Sequence, residues 1–180
     1  MDINQLFYHV FSSSFGEIVI VFKNDTFKLK TIYLPGSPSQ AFIRSSGDKF
    51  LKDEKPSADV QATCQAIKKY FNGYAIDIPW KILDLSTMTD TQKGVLRATA
   101  DIPYGEVRSY REIAISVGRP KACRFVGNTL AKNPFPVLIP CHRVIRSDHS
   151  FGQFGGGAEL KKKMIQLEKN HQNRYQRNLK

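Results

Sequence analysis

The residue best suited to covalent chemistry is Cys141. It follows a short apolar run, Val137-Leu138-Ile139, and a rigid Pro140, and it is followed directly by His142 and Arg143. A cysteine becomes a strong nucleophile as a thiolate, and a neighbouring base, a cation or a helix N-terminus favours that form. His142 is a candidate base and Arg143 a candidate cation. Adjacent side chains do not face each other in regular structure, so contact between Cys141 and His142 requires a tight turn or a bridging water. Cys64 and Cys123 lack such neighbours and read as small buried hydrophobes. Three cysteines without a CxxC pair describe neither a disulfide framework nor a Cys-rich zinc site. His9, His142, His149 and His171 are too scattered to make a zinc site, so no metal is expected.

The elements that must position Cys141 read in two units. Phe7–Phe11, Glu17–Phe22 and Phe27–Leu34 are apolar and β-prone, separated by turns at residues 12–16 and 23–25, which predicts a β-meander. Residues 35–56, rich in Gly, Pro, Ser and charge, read mainly as loop. A helix is expected from about Ser57, with Val60, Cys64, Ile67 and Phe71 at helical spacing and Gly73 at its stop. Residues 76–86 connect to a helical unit. There Asp90 is the expected cap of a helix reaching about Ala100. Ser109-Tyr110-Arg111-Glu112 matches a capping box, and Gly118 ends the helix it opens. A further helix is expected from Pro120 to about Ala131, completing a helix-turn-helix. Asn133-Pro134-Phe135-Pro136 cannot continue it. After the Gly-rich stretch 152–157, a last helix begins near Ala158 with Leu160, Met164 and Leu167 on one face. The basic stretch 171–180 is expected to fray.

Charge separates the two units. Residues 1–103 hold 12 Lys and Arg against 11 Asp and Glu, whereas residues 104–180 hold 15 against 5. A net +10 confined to the second unit implies either a solvated basic surface or a polyanion partner. No apolar run approaches the ~20 residues that span a bilayer, and the N-terminus lacks the basic and apolar regions of a signal peptide. Membrane insertion is therefore not expected. Localisation is expected in the cytoplasm, or in the nucleus of a eukaryote.

The run from Asn133 through Pro140-Cys141-His142-Arg143-Val144 resembles the signature of the O6-alkylguanine-DNA alkyltransferases. The resemblance extends over Tyr104–Tyr110, the stretch Pro120–Arg124, the Gly-rich loop and Glu168. It implies an α+β fold: a ribonuclease-H-like α/β domain with an antiparallel sheet (1–85), then a winged-helix-like helical domain (86–180). It also implies these roles. Cys141 accepts the alkyl group, His142 takes the thiol proton through a water, and Glu168 orients His142. Asn133 braces the turn that carries the cysteine. Tyr110 donates toward the guanine ring, and Arg124 fills the gap left by a flipped nucleotide. Lys121, Ala122, Cys123 and Tyr110 join Arg124 against the minor groove of double-stranded DNA. Pro140, Val144, Phe154, Gly155 and Gly156 form the substrate pocket, and Arg143 is a structural arginine. The family implies no cofactor and a monomer. Phe154 and Gly155 stand where relatives carry tyrosine and serine, which bears on substrate breadth.

The residue types suit that chemistry in their own right. Displacement at an sp³ alkyl carbon needs a soft nucleophile, and a guanine O6 leaves more readily with a hydrogen-bond donor at the ring. A base inside a duplex must be rotated out, at a cost of roughly a few kcal/mol. Two other readings share these residues: a damage sensor of the same fold without transfer, and a cysteine hydrolase using Cys141 and His142. The sensor reading is opposed by the cysteine itself, and the hydrolase by the absence of a known protease signature.

Overall fold

The computed structural model describes residues 5–37, 50–152 and 154–177. Strands β1 (Leu6–Ser13), β2 (Gly16–Lys23) and β3 (Lys28–Tyr33) pair antiparallel as a meander. The first turn is tighter than its sequence suggests. Ser12 and Ser13 remain in β1 opposite Glu17 and Gly16, so Ser14 and Phe15 alone make the turn. Gly16 has φ 118°, where a side chain would be strained.

A fourth strand, β4 (Phe50–Lys52), pairs parallel to β1, giving the order β3-β2-β1-β4. This places a short strand within the stretch 35–56 that reads mainly as loop. Three residues in a charged stretch carry no readable alternation, and they become a strand because β1 offers them a free edge. Residues 38–49 of that expected loop lie outside the described residues.

The central strand β2 is buried on both faces. Ile18, Ile20 and Phe22 enter the main core, while Val19 and Val21 form a small cluster behind the sheet with Tyr8, Val10 and Tyr33. Each such side chain contributes about 1.5–3 kcal/mol when fully buried. Helix α1 (Ala58–Phe71) packs Val60, Ile67 and Phe71 on the sheet, and its N-cap Ser57 accepts a hydrogen bond from Val60 N.

The helical part follows a single 3-10 turn at Trp80–Ile82. Helix α2 (Asp90–Ala100) is capped by Thr89 rather than Asp90. Thr89 and Gln92 form a reciprocal capping box, and Asp90 becomes the first helical residue, where its charge suits the helix dipole. Strand β5 (Arg108–Ser109) leads into α3 (Tyr110–Ser116), whose Ser109–Glu112 capping box forms as expected. Helix α4 (Cys123–Ala131) starts three residues later than Pro120. Ala122 N bonds first to Arg119 O at 2.8 Å, so Pro120 and Lys121 close a turn before the helix begins.

A two-residue strand, β6 (Val144–Ile145), pairs parallel with β5. The wing of the expected winged helix is not formed as a strand hairpin among the described residues. Helix α5 (Ala158–Arg177) buries Leu160, Lys161, Met164, Ile165 and Glu168, with Leu167 only partly covered. The helix does not end at His171. It continues to Arg177, and the His171 ring packs where any side chain at Gly73 would stand. The apolar cluster that begins under the sheet continues without interruption through Val95, Ile113, Val126 and Met164.

Candidate active site

Cys141 is delivered by a buried, heavily hydrogen-bonded turn. Asn133 at the end of α4 accepts a bond from Phe135 N on Oδ1 and donates from Nδ2 to Ile139 O, both at 3.0 Å. These bonds brace a stretch in which Val137 has φ 77°, unusual for a β-branched residue. Pro140, at φ −80° and ψ 61°, makes an inverse γ-turn with Cys141 N bonded to Ile139 O at 2.8 Å. Cys141–Arg143 then form one 3-10 turn. This is the tight turn that adjacent reactive residues require.

The three side chains of that turn are buried, and α5 supplies their carboxylate. Glu168 Oε1 accepts from His142 Nε2 at 2.6 Å and from Tyr70 Oη at 2.8 Å. Arg143 donates to both carboxylate oxygens, with Nε 2.9 Å from Oε2. The backbone N–H of Gly105 completes the set at 2.9 Å from Oε2. Arg143 also donates from Nη1 to Ile102 O and lies over the Tyr104 ring.

A carboxylate surrounded by donors can only accept, so His142 carries its proton on Nε2 and leaves Nδ1 as a lone pair. Nδ1 is fully buried and has no partner among the described residues. Burial pushes the His142 pKa down, against the pull of Glu168, so the ring is neutral at neutral pH. Burial pushes the Glu168 carboxyl up, but the hydrogen bonds from His142 and Arg143 and the Arg143 charge outweigh it and keep the group ionised.

The Cys141 thiol is pushed up by burial, while a hydrogen bond from Asn133 and the charge of Lys161 act in the opposite sense. Lys161 is fully buried on α5 and donates from Nζ to Val144 O at 2.6 Å. Burial lowers its pKa to about 8. The resting pair is therefore a thiol beside a neutral imidazole, with a buried ammonium nearby to stabilise a thiolate as it forms.

Cys141 lies against a cleft of about 340 Å³ between β3 and the end of α4, lined also by Tyr33, Asn133, Pro136, Phe154 and Gly155. The Phe154 ring meets the His142 ring edge-on at 6.5 Å. Pro140 and Val144 do not line this cleft, because their side chains are buried beneath the turn. Gly156 faces a different hollow, beside Phe15 and Pro35. A wider cleft of about 620 Å³ lies among Asp90, Arg97, Arg108 and Arg119, and no cysteine or histidine lines it.

Tyr110, first residue of α3, is half-buried. A side chain at Gly152 would meet its hydroxyl at 3.0 Å. Burial raises its pKa, and a thiolate at Cys141 acts in the same sense, so the hydroxyl remains a donor. Lys121 and Arg124 are exposed on the turn and first residues of α4, with Ala122 and Cys123 partly covered beside them. Cys64 is buried and its pKa raised to about 11, chiefly by burial.

Sequence reasoning missed Tyr70, Lys161 and Gly105. Tyr70 stands three residues after Ile67, on the apolar stripe of α1. Lys161 shares the helical face of Met164 and Glu168. Periodicity places both side chains inward, and only their polar character hid them. Gly105 contributes a backbone group and had no side-chain signal.

Residues 90–170 match the family model described as 6-O-methylguanine DNA methyltransferase, DNA binding domain. The chain is similar to the methylated-DNA–protein-cysteine methyltransferase of Methanothermobacter thermautotrophicus, 35% identical over 120 residues, which is 67% of each chain. It is also similar to the protein of that name from Methanosarcina acetivorans, 30% identical over 91% of this chain and 98% of the relative. Among solved structures, a Mycobacterium tuberculosis OGT in complex with DNA superposes with a TM-score of 0.75 at 30% identity, covering 92% of this chain and 94% of that one. With this agreement in sequence and architecture, over nearly the whole length in two of the three cases, the chain belongs to the methylated-DNA–protein-cysteine methyltransferase family.

Proposed function

We propose that this protein repairs DNA by transferring the alkyl group from O6 of a damaged guanine to Cys141, irreversibly and once per molecule. One observation carries the reading. The Cys141 thiol borders an open cleft, and the adjacent histidine has one nitrogen held by a buried carboxylate and the other unengaged.

The thiol proton passes to His142 Nδ1 across one water, and Glu168 steadies the imidazolium that forms. Sγ attacks the alkyl carbon, the carbon–O6 bond breaks, and its electron pair goes to O6 and the purine ring. Lys161 favours the transient thiolate, while the Tyr110 hydroxyl donates to the ring and stabilises the leaving anion. The thioether has no competent leaving group, so the protein does not return to its starting state. Asn133 and Arg143 hold the turn, and Phe154 and Gly155 wall the base.

The guanine reaches Cys141 by rotation out of the duplex. The exposed Arg124 fills the space it leaves, with Lys121, Ala122 and Cys123 against the minor groove. Residues 86–180 thus form the DNA-binding and acceptor domain and residues 1–85 the domain that backs it. The protein acts as a monomer in the cytoplasm, or in the nucleus of a eukaryote. No helix among the described residues is long and apolar enough to cross a membrane.

A duplex carrying O6-[³H]methylguanine tests this. Label should move to the peptide containing Cys141 and plateau at one group per protein. Cys141→Ala should bind the duplex without taking label. Label on Cys64 or Cys123, or turnover past the plateau, would refute the assignment.

A further inference from the structure

Tyr70 belongs to α1, far in sequence from the reactive turn, yet its hydroxyl sits inside the buried polar network. It lies 2.8 Å from Glu168 Oε1 and 2.9 Å from His142 Nε2, and the residue is fully buried. The Tyr70 ring meets the His142 ring edge-on at 5.7 Å. We propose that Tyr70 is a positioning residue for alkyl transfer, its hydroxyl fixing the Glu168 carboxylate and limiting that carboxylate's hold on the His142 ring. The inference rests on the reading of Cys141 as acceptor and His142 as base.

The hydroxyl is a donor at all working pH values, because burial and the Glu168 charge keep the phenol well above its ordinary range. Tyr70 Oη–H and His142 Nε2–H therefore converge on one carboxylate oxygen, which Arg143 also reaches from Nε and Nη2. Each bond that Oε1 accepts reduces the negative charge available to the other. Without the hydroxyl, Oε1 pulls harder on Nε2–H, Nδ1 becomes more basic, and His142 is protonated at higher pH. The other charged and titratable groups around His142 remain in place: Cys141 and Arg143 on its own turn, Glu168 and Lys161 on α5, and Tyr104 beneath Arg143. The Phe71 and Tyr104 rings meet the Tyr70 ring edge-on, and Phe15 packs on Phe71 behind it.

Tyr70→Phe keeps the ring and removes the hydroxyl. Single-turnover reaction with free O6-benzylguanine, followed by mass on Cys141, gives a rate that rises with pH as His142 loses its proton. In Tyr70→Phe this acid limb should move up by about one pH unit, as expected when part of a charged hydrogen bond is redistributed to the neighbouring ring. Rates below the limb should fall about tenfold and plateau rates should change little. Replacing Tyr70 with 3-fluorotyrosine, a nearly isosteric and stronger donor, should move the limb down, and it decides the question if the Phe variant does not fold. A loss of thermal stability with an unmoved profile would make Tyr70 merely structural and overturn the proposal. So would a shift of both variants in one direction. If the unmodified protein transfers nothing, the parent reading fails instead.

Discussion

Replacing Glu168 by Gln preserves the side-chain shape and removes its charge. In the native site its two oxygens accept from Tyr70 Oη, His142 Nε2, Arg143 Nε and Nη2, and Gly105 N. A glutamine offers one oxygen and turns an NH₂ toward the donors on the other side. It also leaves the Arg143 guanidinium buried beside a neutral group. Breaking a buried ion pair in this way costs about 3–5 kcal/mol, a large part of the ~5–15 kcal/mol that holds a typical protein folded. For a chain of this size that corresponds to a fall in Tm of roughly 6–20 °C. The loss also depends on pH. The Glu168 carboxyl is held below its unfolded value, so its contribution is complete above about pH 4.3 and disappears as pH falls through the folded pKa. Calorimetry of both proteins at pH 7 and pH 3 should show the gap narrowed at the second to roughly half its width at the first, because pH 3 still lies about one unit above the folded pKa of about 2. Single-turnover transfer should collapse in parallel, because the tautomer of His142 is no longer dictated. Equal Tm values at pH 7, or a gap that does not narrow at pH 3, would refute the account of the network.

The turn, the DNA face and the charge pattern each give a further expectation. Asn133→Ala leaves Phe135 N without its partner, while Ile139 O keeps only the bond from Cys141 N. At about 1–3 kcal/mol for one unsatisfied buried group, urea unfolding should show a loss of that size, and transfer should fall further than DNA binding as the strained Val137 turn relaxes. Arg124→Ala should slow repair of duplex much more than reaction with free O6-benzylguanine, which needs no extrusion; equal losses would remove Arg124 from that role. DNA affinity should fall with salt at a log–log slope of about −3 to −5, the value for roughly three to six neutralised phosphates; a slope near zero in a filter-binding titration would argue against DNA as the partner.

The amino-acid sequence alone determined what depends on neighbours along the chain. The Ser109–Glu112 capping box, the proline that turns the backbone into Cys141, and the meander of β1 to β3 are local arrangements of donors, acceptors and restricted dihedrals. So is the adjacency of Cys141 to His142, and the family signature is written in the same short stretch. Charge asymmetry was legible because it is a sum over residues and needs no coordinates. Tertiary structure decided the rest. Lys161 lies in a run of three lysines that reads as solvated surface, yet α5 docks with that residue inward, and its ammonium stands near the thiol. Strand β4 exists because β1 presents a free edge, which three charged-flanked residues do not announce. Tyr70, Gly105 and Glu168 meet across chain separations of 98 and 63 residues. Such meetings are set by how α1 and α5 both pack into one apolar core. A polar atom is drawn into that packing only when distant partners are already in place to satisfy it. No pattern confined to one segment carries that information.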